Sequence, residues 1–256
     1  MFINIIISTI LFVNLFNNDV ASSSSIDNIA RIVGGTNANI EDFGFMVSLQ
    51  FINGVEVALQ CGGTILTRKK VLTAGHCAPE DGNIANLYVR AGTADYTSGG
   101  VLKNILEITQ HSEFNRTTGV NDIAIVTIVG KFSYGPSIYP IALARSGAVL
   151  EEDDTVTVAG WGTTATTSPI FQQFLQQAEI PVWSNERCRT IFTNLNENQV
   201  CYGGAGKGPC FRDSGGPAVK NMVQYGIVSR GINCETIPIV FSSTAAFRYW
   251  IKRNIR

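Results

Sequence analysis

Hydrophobic residues in this chain come mostly in short runs that alternate with polar ones, as in Phe45-Met46-Val47-Ser48-Leu49-Gln50-Phe51, Leu87-Tyr88-Val89-Arg90 and Thr155-Val156-Thr157-Val158-Ala159. A period of two sends successive side chains to opposite faces of an extended backbone, so each run reads as a strand. Clusters of Gly, Asn, Ser and Pro, such as Thr97-Ser98-Gly99-Gly100 and Gly203-Gly204-Ala205-Gly206, separate the runs at short intervals. Many short strands without repeated long helices point to an all-β sandwich or barrel. The C-terminus differs. Phe247, Trp250 and Ile251 recur at helical spacing among Arg248, Lys252 and Arg253, which predicts a short amphipathic helix with basic residues suited to its C-terminal dipole. Pro136 and Pro140 interrupt the alternation, because neither can donate to a strand ladder, and a crossover between two halves is expected near residues 133–150.

Of the 256 residues, 45% are hydrophobic and 15% charged, which suits a chain with a sizeable buried core. Lys and Arg number 19 against 20 Asp and Glu, and the signs balance again beyond residue 31, so no nucleic-acid or polyanion partner is expected. Residues 1–22 read as a secretory signal peptide: an apolar stretch to Phe16 gives way to Asn17-Asn18-Asp19 and the serine run Ser22–Ser25. Ser8, Thr9 and Asn14 break that stretch, Lys and Arg are missing ahead of it, and it is too short to span a bilayer comfortably. No later run is long enough either, so the expected location is secreted and extracellular, with no membrane partner. Six cysteines behind a secretory leader imply disulfides, whose connectivity the pattern alone leaves open. Asn115-Arg116-Thr117 is a sequon for an N-glycan.

The string Arg212-Asp213-Ser214-Gly215-Gly216-Pro217 sets a serine in a tight turn. A serine hydroxyl is a weak nucleophile until an imidazole takes its proton, and the imidazole needs a buried carboxylate to fix its tautomer. Of two histidines, His111 lies in a polar stretch expected to be a surface loop, whereas His76 falls in Leu72-Thr73-Ala74-Gly75-His76-Cys77. Asp122 falls in Asn121-Asp122-Ile123-Ala124-Ile125. Together with Arg31-Ile32-Val33-Gly34-Gly35, Cys61-Gly62-Gly63-Thr64 and Gly160-Trp161-Gly162, these strings resemble the chymotrypsin/trypsin family of serine proteases from Ile32 to the C-terminus. Six short motifs in family order are far more specific than any one of them.

The resemblance implies two six-stranded antiparallel β-barrels packed together with a short C-terminal helix. It implies His76, Asp122 and Ser214 as the catalytic triad, with the amides of Arg212 and Ser214 as the oxyanion hole. It implies a zymogen with propeptide 23–31 and protease domain 32–256, activated by cleavage after Arg31, whose new Ile32 ammonium pairs with Asp213. By the same resemblance the disulfides are Cys61–Cys77, Cys188–Cys201 and Cys210–Cys234. The implied partners of a monomer are protein or peptide substrates, an activating protease and a protease inhibitor. No cofactor and no metal are expected, because Asp95 is the only acid between Thr93 and Lys103, where calcium-binding members carry an acidic pair.

Departures gather at the pocket. Its floor falls on Gly208, followed by Pro209, so the carboxylate that selects Lys or Arg is missing. Ile239 stands where many members have glycine, which implies a shallow pocket. In Ser229-Arg230-Gly231, Arg230 replaces the usual tryptophan of the groove wall. Arg212 replaces glycine, and strain of about 1–2 kcal/mol at a glycine-type backbone angle would either flip its peptide or be tolerated with the amide in place. Two functions follow as expectations: a secreted serine endopeptidase that does not cleave after Lys or Arg, with low activity, or a catalytically impaired homologue that acts by binding a partner.

Overall fold

The computed structural model describes residues 32–168 and 170–256; the leader and propeptide read from the sequence, including Arg31, lie outside the described residues. After a short β1 (Thr36–Asn37), the first half is built from β2 (Met46–Asn53), β3 (Glu56–Ile65), β4 (Lys70–Thr73), β5 (Leu87–Ala91), β6 (Val101–Gln110) and β7 (Ala124–Ile128). These six strands close into an antiparallel barrel in the order β2-β3-β4-β7-β6-β5. The second half contains β8 (Ala142–Leu143), β9 (Thr155–Gly160), β10 (Gln176–Trp183), the helix α1 (Asn185–Arg189), β11 (Gln199–Tyr202), β12 (Pro217–Lys220), β13 (Val223–Arg230) and β14 (Ile239–Ser243). Here β9, β10, β11, β14, β13 and β12 pair in a ring that returns to β9, while β1 adds to β10 and β8 lies parallel to β13. The chain closes with α2 (Arg248–Asn254).

The alternation does what a barrel requires. In β5, Leu87, Val89 and Ala91 are buried and the residues between them are not, and in β10 the buried set is Gln176, Ala178, Ile180 and Val182. Strand β2 is buried on both faces from Met46 to Gln50, for a reason the two cores make plain. Val47 and Leu49 pack inside the first barrel with Leu72, Val89 and Ile125, whereas Met46 joins Phe45 and Leu59 against Trp161, Leu175 and Val219 of the second. Each such side chain contributes roughly 1.5–3 kcal/mol on burial, so this seam holds the barrels in one orientation. A buried polar link crosses it as well: Thr64 Oγ1 donates to Gln224 Oε1 at 2.8 Å.

The three alternating runs lie in β2, β5 and β9. The C-terminal helix buries Ile251 and, just before its first turn, Phe247, both in the core of the first barrel. His111 is not a free surface group: it is half-buried, with its ring 5.6 Å from Phe247 and 5.4 Å from Trp250. The cysteines pair as Cys61–Cys77, Cys188–Cys201 and Cys210–Cys234. Helix α1 has no counterpart in the apolar pattern; Ser184 starts it, its Oγ accepting the Arg187 N–H at 3.3 Å.

Candidate active site

His76 sits in a single 3₁₀ turn, Gly75–Cys77, that leaves the end of β4, and the Cys61–Cys77 disulfide ties the turn back to β3. Asp122 precedes β7. The residue before it, Asn121, takes φ 56°, a left-handed conformation that Asn tolerates better than most residues, and the following Ile123 N–H bonds back to Asn121 O at 2.9 Å. Asp122 is 1% exposed and well supplied with donors. Its Oδ1 accepts the His76 backbone N–H at 2.8 Å, and its Oδ2 accepts from His76 Nδ1 at 2.7 Å and from Ser229 Oγ at 2.6 Å. An ionised carboxylate only accepts, so His76 carries its proton on Nδ1 and presents Nε2 as a lone pair; this tautomer is assigned from the hydrogen bonds.

Ser214 lies in the loop before β12, where Gly215 turns the chain at φ 80°. A methyl group on Gly215 would strike Thr73 Oγ1 and Gly62 O, so the turn needs glycine both for its angle and for its closeness to the first barrel. The loop is bonded to that barrel by Gly62 N–H to Ser214 O at 2.8 Å, and Cys77 Sγ lies 3.8 Å from the same oxygen. Ser214 thus adjoins the histidine turn, although its Oγ makes no hydrogen bond to His76 among the described residues. In unliganded sites this bond is often long and tightens with substrate.

The backbone of Arg212 has φ 73°. Phe211 O accepts the Thr163 N–H at 2.9 Å, and in a trans peptide the Arg212 N–H then points the opposite way, away from Thr163. The N–H groups of Arg212 and Ser214 have no acceptor among the described residues. The arginine side chain leans outward, with Nη1 donating to Gln60 Oε1 at 2.8 Å and the guanidinium 5.9 Å from the Phe171 ring.

Asp213 is fully buried. Its oxygens accept the Gly162 N–H at 2.8 Å and the Cys210 N–H at 2.9 Å, and a methyl group on Gly160 or Gly162 would collide with the carboxylate. No cation lies within 4 Å among the described residues. Burial therefore pushes its pKa up to about 7, against the opposing pull of the two amides. Ile32 is buried with Val158, Ile180 and Val228, and Val33 forms a β-bridge to Gly208.

A cleft of about 250 Å³ opens beside Ser214, lined among others by Pro209, Val228, Ser229, Arg230, Gly231 and Ile239. Gly208 directly precedes Pro209 of this lining. Ile239 intervenes: a methyl on Gly208 would meet Ile239 Cγ1 at 3.9 Å, and Ile239 Cδ1 presses on Gly231. The branched side chain thus bridges the space between the two glycines.

Asn115 is exposed, with Oδ1 accepting the Thr117 and Thr118 N–H groups at 3.0 Å. Asp95 is saturated by donors from Thr97, Ser98 and Gln173. Its slight burial raises its pKa, but these bonds outweigh that and hold it at about 2. Among the described residues, the one His/Cys/acid group close enough to grip a metal is Cys61, His76 and Cys77, and both of its sulfurs are in a disulfide.

Two supporting residues carry no sequence signal, because their bonds run to backbone far along the chain. Arg116 donates to His76 O at 3.2 Å and Ala78 O at 3.1 Å, bracing the histidine turn. Ser242 Oγ donates to Asp122 O at 2.8 Å.

Comparison with known proteins agrees with this geometry. The family model described as Trypsin matches residues 32–251. Similar curated proteins include Trypsin delta of Drosophila erecta, 33% identical over 230 residues that cover 88% of each chain. Trypsin 5G1 of Aedes aegypti is 33% identical over 229 residues, 87% of this chain and 84% of its own. Trypsin alpha of Drosophila melanogaster is 32% identical over 227 residues, 86% of each.

Proposed function

The chain belongs to the trypsin family of serine proteases, and from that premise we propose that it is a secreted serine endopeptidase made as a zymogen. Ser214 Oγ attacks the peptide carbonyl, His76 Nε2 takes its proton and then delivers it to the leaving amine, and Asp122 holds the imidazole in its tautomer and stabilises its charged form. The amides of Arg212 and Ser214 receive the oxyanion, and water releases the acyl group from Ser214 in the second half of the cycle. The observation that carries this reading is the bond from His76 Nδ1 to the buried Asp122, which leaves Nε2 free as a base beside the serine loop.

Cleavage after Arg31 supplies the ammonium of Ile32 to Asp213, a buried carboxylate with no countercharge within 4 Å among the described residues. With no acid at Gly208 and with Ile239 across the pocket, the side chain accepted before the scissile bond is small and apolar, not Lys or Arg. The exposed Asn115 carries an N-glycan.

A fluorophosphonate tests the reaction directly on protein cleaved after Arg31. Labelling is expected and should vanish in Ser214→Ala. Correctly cleaved protein that takes no label would favour the second reading, a homologue that acts by binding, which the side chain of Ile239 across the pocket supports. A digest of a peptide library checks specificity, and frequent cuts after Lys or Arg would refute the reading of Gly208.

A further inference from the structure

The cleft beside Ser214 carries charge of one sign. Two of its lining side chains, Arg212 and Arg230, are cationic, and among the described residues no Asp or Glu lines it. Of the two buried acids beside it, Asp122 lies behind Ser229 with its oxygens already taken by His76 and Ser229, and Asp213 has its oxygens on the Gly162 and Cys210 amides. Arg212 is exposed and has a partner in Gln60. Arg230 is the residue whose chemistry is unfinished.

Arg230 ends β13. On one edge its backbone pairs with Val240 of β14, whereas the ladder with β12 stops at Ile227 and the last bonds on that side join the Val228 N–H to Gly216 O and the Gly215 N–H to Val228 O. The edge at Ser229 and Arg230 is therefore open, and an extended peptide lying in the cleft can add to it as a strand. The Ser229 side chain turns in to Asp122, and past an irregularity of the ladder between Val228 and Arg230 the Arg230 side chain lies half-buried against Gly119. Its stem is clamped: a methyl on Gly119 would lie 2.7 Å from Arg230 Cδ and 3.0 Å from Nε, and the guanidinium stands 5.4 Å from the Phe192 ring. Nε is buried without any hydrogen-bond partner, and no carboxylate lies within 4 Å of the group among the described residues. Burial lowers the Arg230 pKa, while the nearby charge of Asp122 opposes that. A guanidinium held rigidly, stripped of part of its water and left without an acceptor is arranged to receive a carboxylate.

We propose that Arg230 makes the cleft select peptides with an acidic side chain, Asp or Glu, on the acyl side of the scissile bond and outside the primary pocket. The proposal rests on the reading of the cleft as a peptide-binding site but not on turnover. A carboxylate arriving on the added strand pairs with Arg230, and a lysine in the same place meets a fixed like charge.

The experiment uses Ser214→Ala protein cleaved after Arg31, so that binding is read without hydrolysis. Fluorescein-labelled peptides carry Glu, Gln or Lys at one position at a time, upstream of an alanine at the cleavage position, and affinity is measured by anisotropy. At one position Glu should bind about tenfold tighter than Gln, and Lys weaker than both. Arg230→Gln should erase the difference, Arg230→Glu should reverse it in favour of Lys, and Arg230→Lys should retain its sign, which guards against misfolded variants. Equal affinity for Glu and Lys at every position, or a Glu preference that survives in folded Arg230→Gln, would overturn the proposal. Failure of the catalytic reading is seen separately, as absent fluorophosphonate labelling of protein that still prefers Glu.

Discussion

The two barrels each bring a buried aspartate to the cleft, and the two are in opposite condition. Asp122, from the first barrel, has its oxygens bonded by the His76 amide, the His76 ring and Ser229 Oγ. Asp213, from the second, has two backbone amides and, among the described residues, no cation within 4 Å. The low-dielectric interior penalises an unpaired charge heavily and tolerates one that is well supplied with donors. One carboxylate is thus fully supplied with donors, while on the reading proposed above the other receives its countercharge only when Ile32 is released.

The contrast is tested hardest at Asp122. Replacing it with Asn keeps the shape but offers an N–H where His76 needs an acceptor, so the ring turns to the wrong tautomer. Fluorophosphonate labelling and peptide hydrolysis should slow by about 10⁴-fold, with little change in fold. A loss of less than about tenfold would mean that Asp122 only supports structure, and the two aspartates would no longer differ in role.

Asp213 predicts an effect on stability rather than rate. Its pKa is about 7 in the folded chain against an ordinary value of 3.8, so between these limits the folded state binds the proton and the unfolded state does not. Stability of the uncleaved protein should therefore fall as pH rises from about 4 to about 7, by at most about 1.4 kcal/mol per unit, and level off above that. After cleavage the Ile32 ammonium favours the ionised carboxylate, and the decline should disappear. Urea midpoints of both forms across this range decide it; parallel curves would show that cleavage brings no cation to Asp213.

The pocket of the second barrel gives a smaller effect. Ile239→Gly removes the side chain that presses on Gly231 and covers Gly208, and hydrolysis after Leu or Phe should rise about tenfold to a hundredfold relative to Ala. An unchanged preference would show that something other than Ile239 limits the pocket.

What the sequence revealed follows the same division. Strand periodicity and the short motifs are local, and they located β2, β5, β9, the C-terminal helix and the loops of His76, Asp122 and Ser214. Strand β6 went unread because most of its side chains are exposed and its apolar residues do not alternate with its polar ones. The bond from Arg116 to His76 O spans 40 residues and that from Ser242 to Asp122 O spans 120, distances over which no spacing rule operates. The same limit applies at Gly208: its number follows from counting along the loop, but how far it is open to a substrate depends on the rotamer of Ile239, a strand away.

Arg212 gives the smallest shift in stability and the sharpest choice. At φ 73° a side chain is strained, and Arg212→Gly should stabilise the protein by about 1 kcal/mol, less than the full relief because glycine gains freedom in the unfolded chain. The loss of the exposed Gln60 contact subtracts little from this. Since Phe211 O is already held by Thr163 and the Arg212 N–H already points away from it, activity should change by no more than about threefold, within the scatter of a donor that stays in place. A gain of about a hundredfold or more would instead show that arginine keeps the amide turned away in solution. The second barrel would then be incomplete in its oxyanion hole as well as at Asp213, and the first barrel alone would carry finished chemistry.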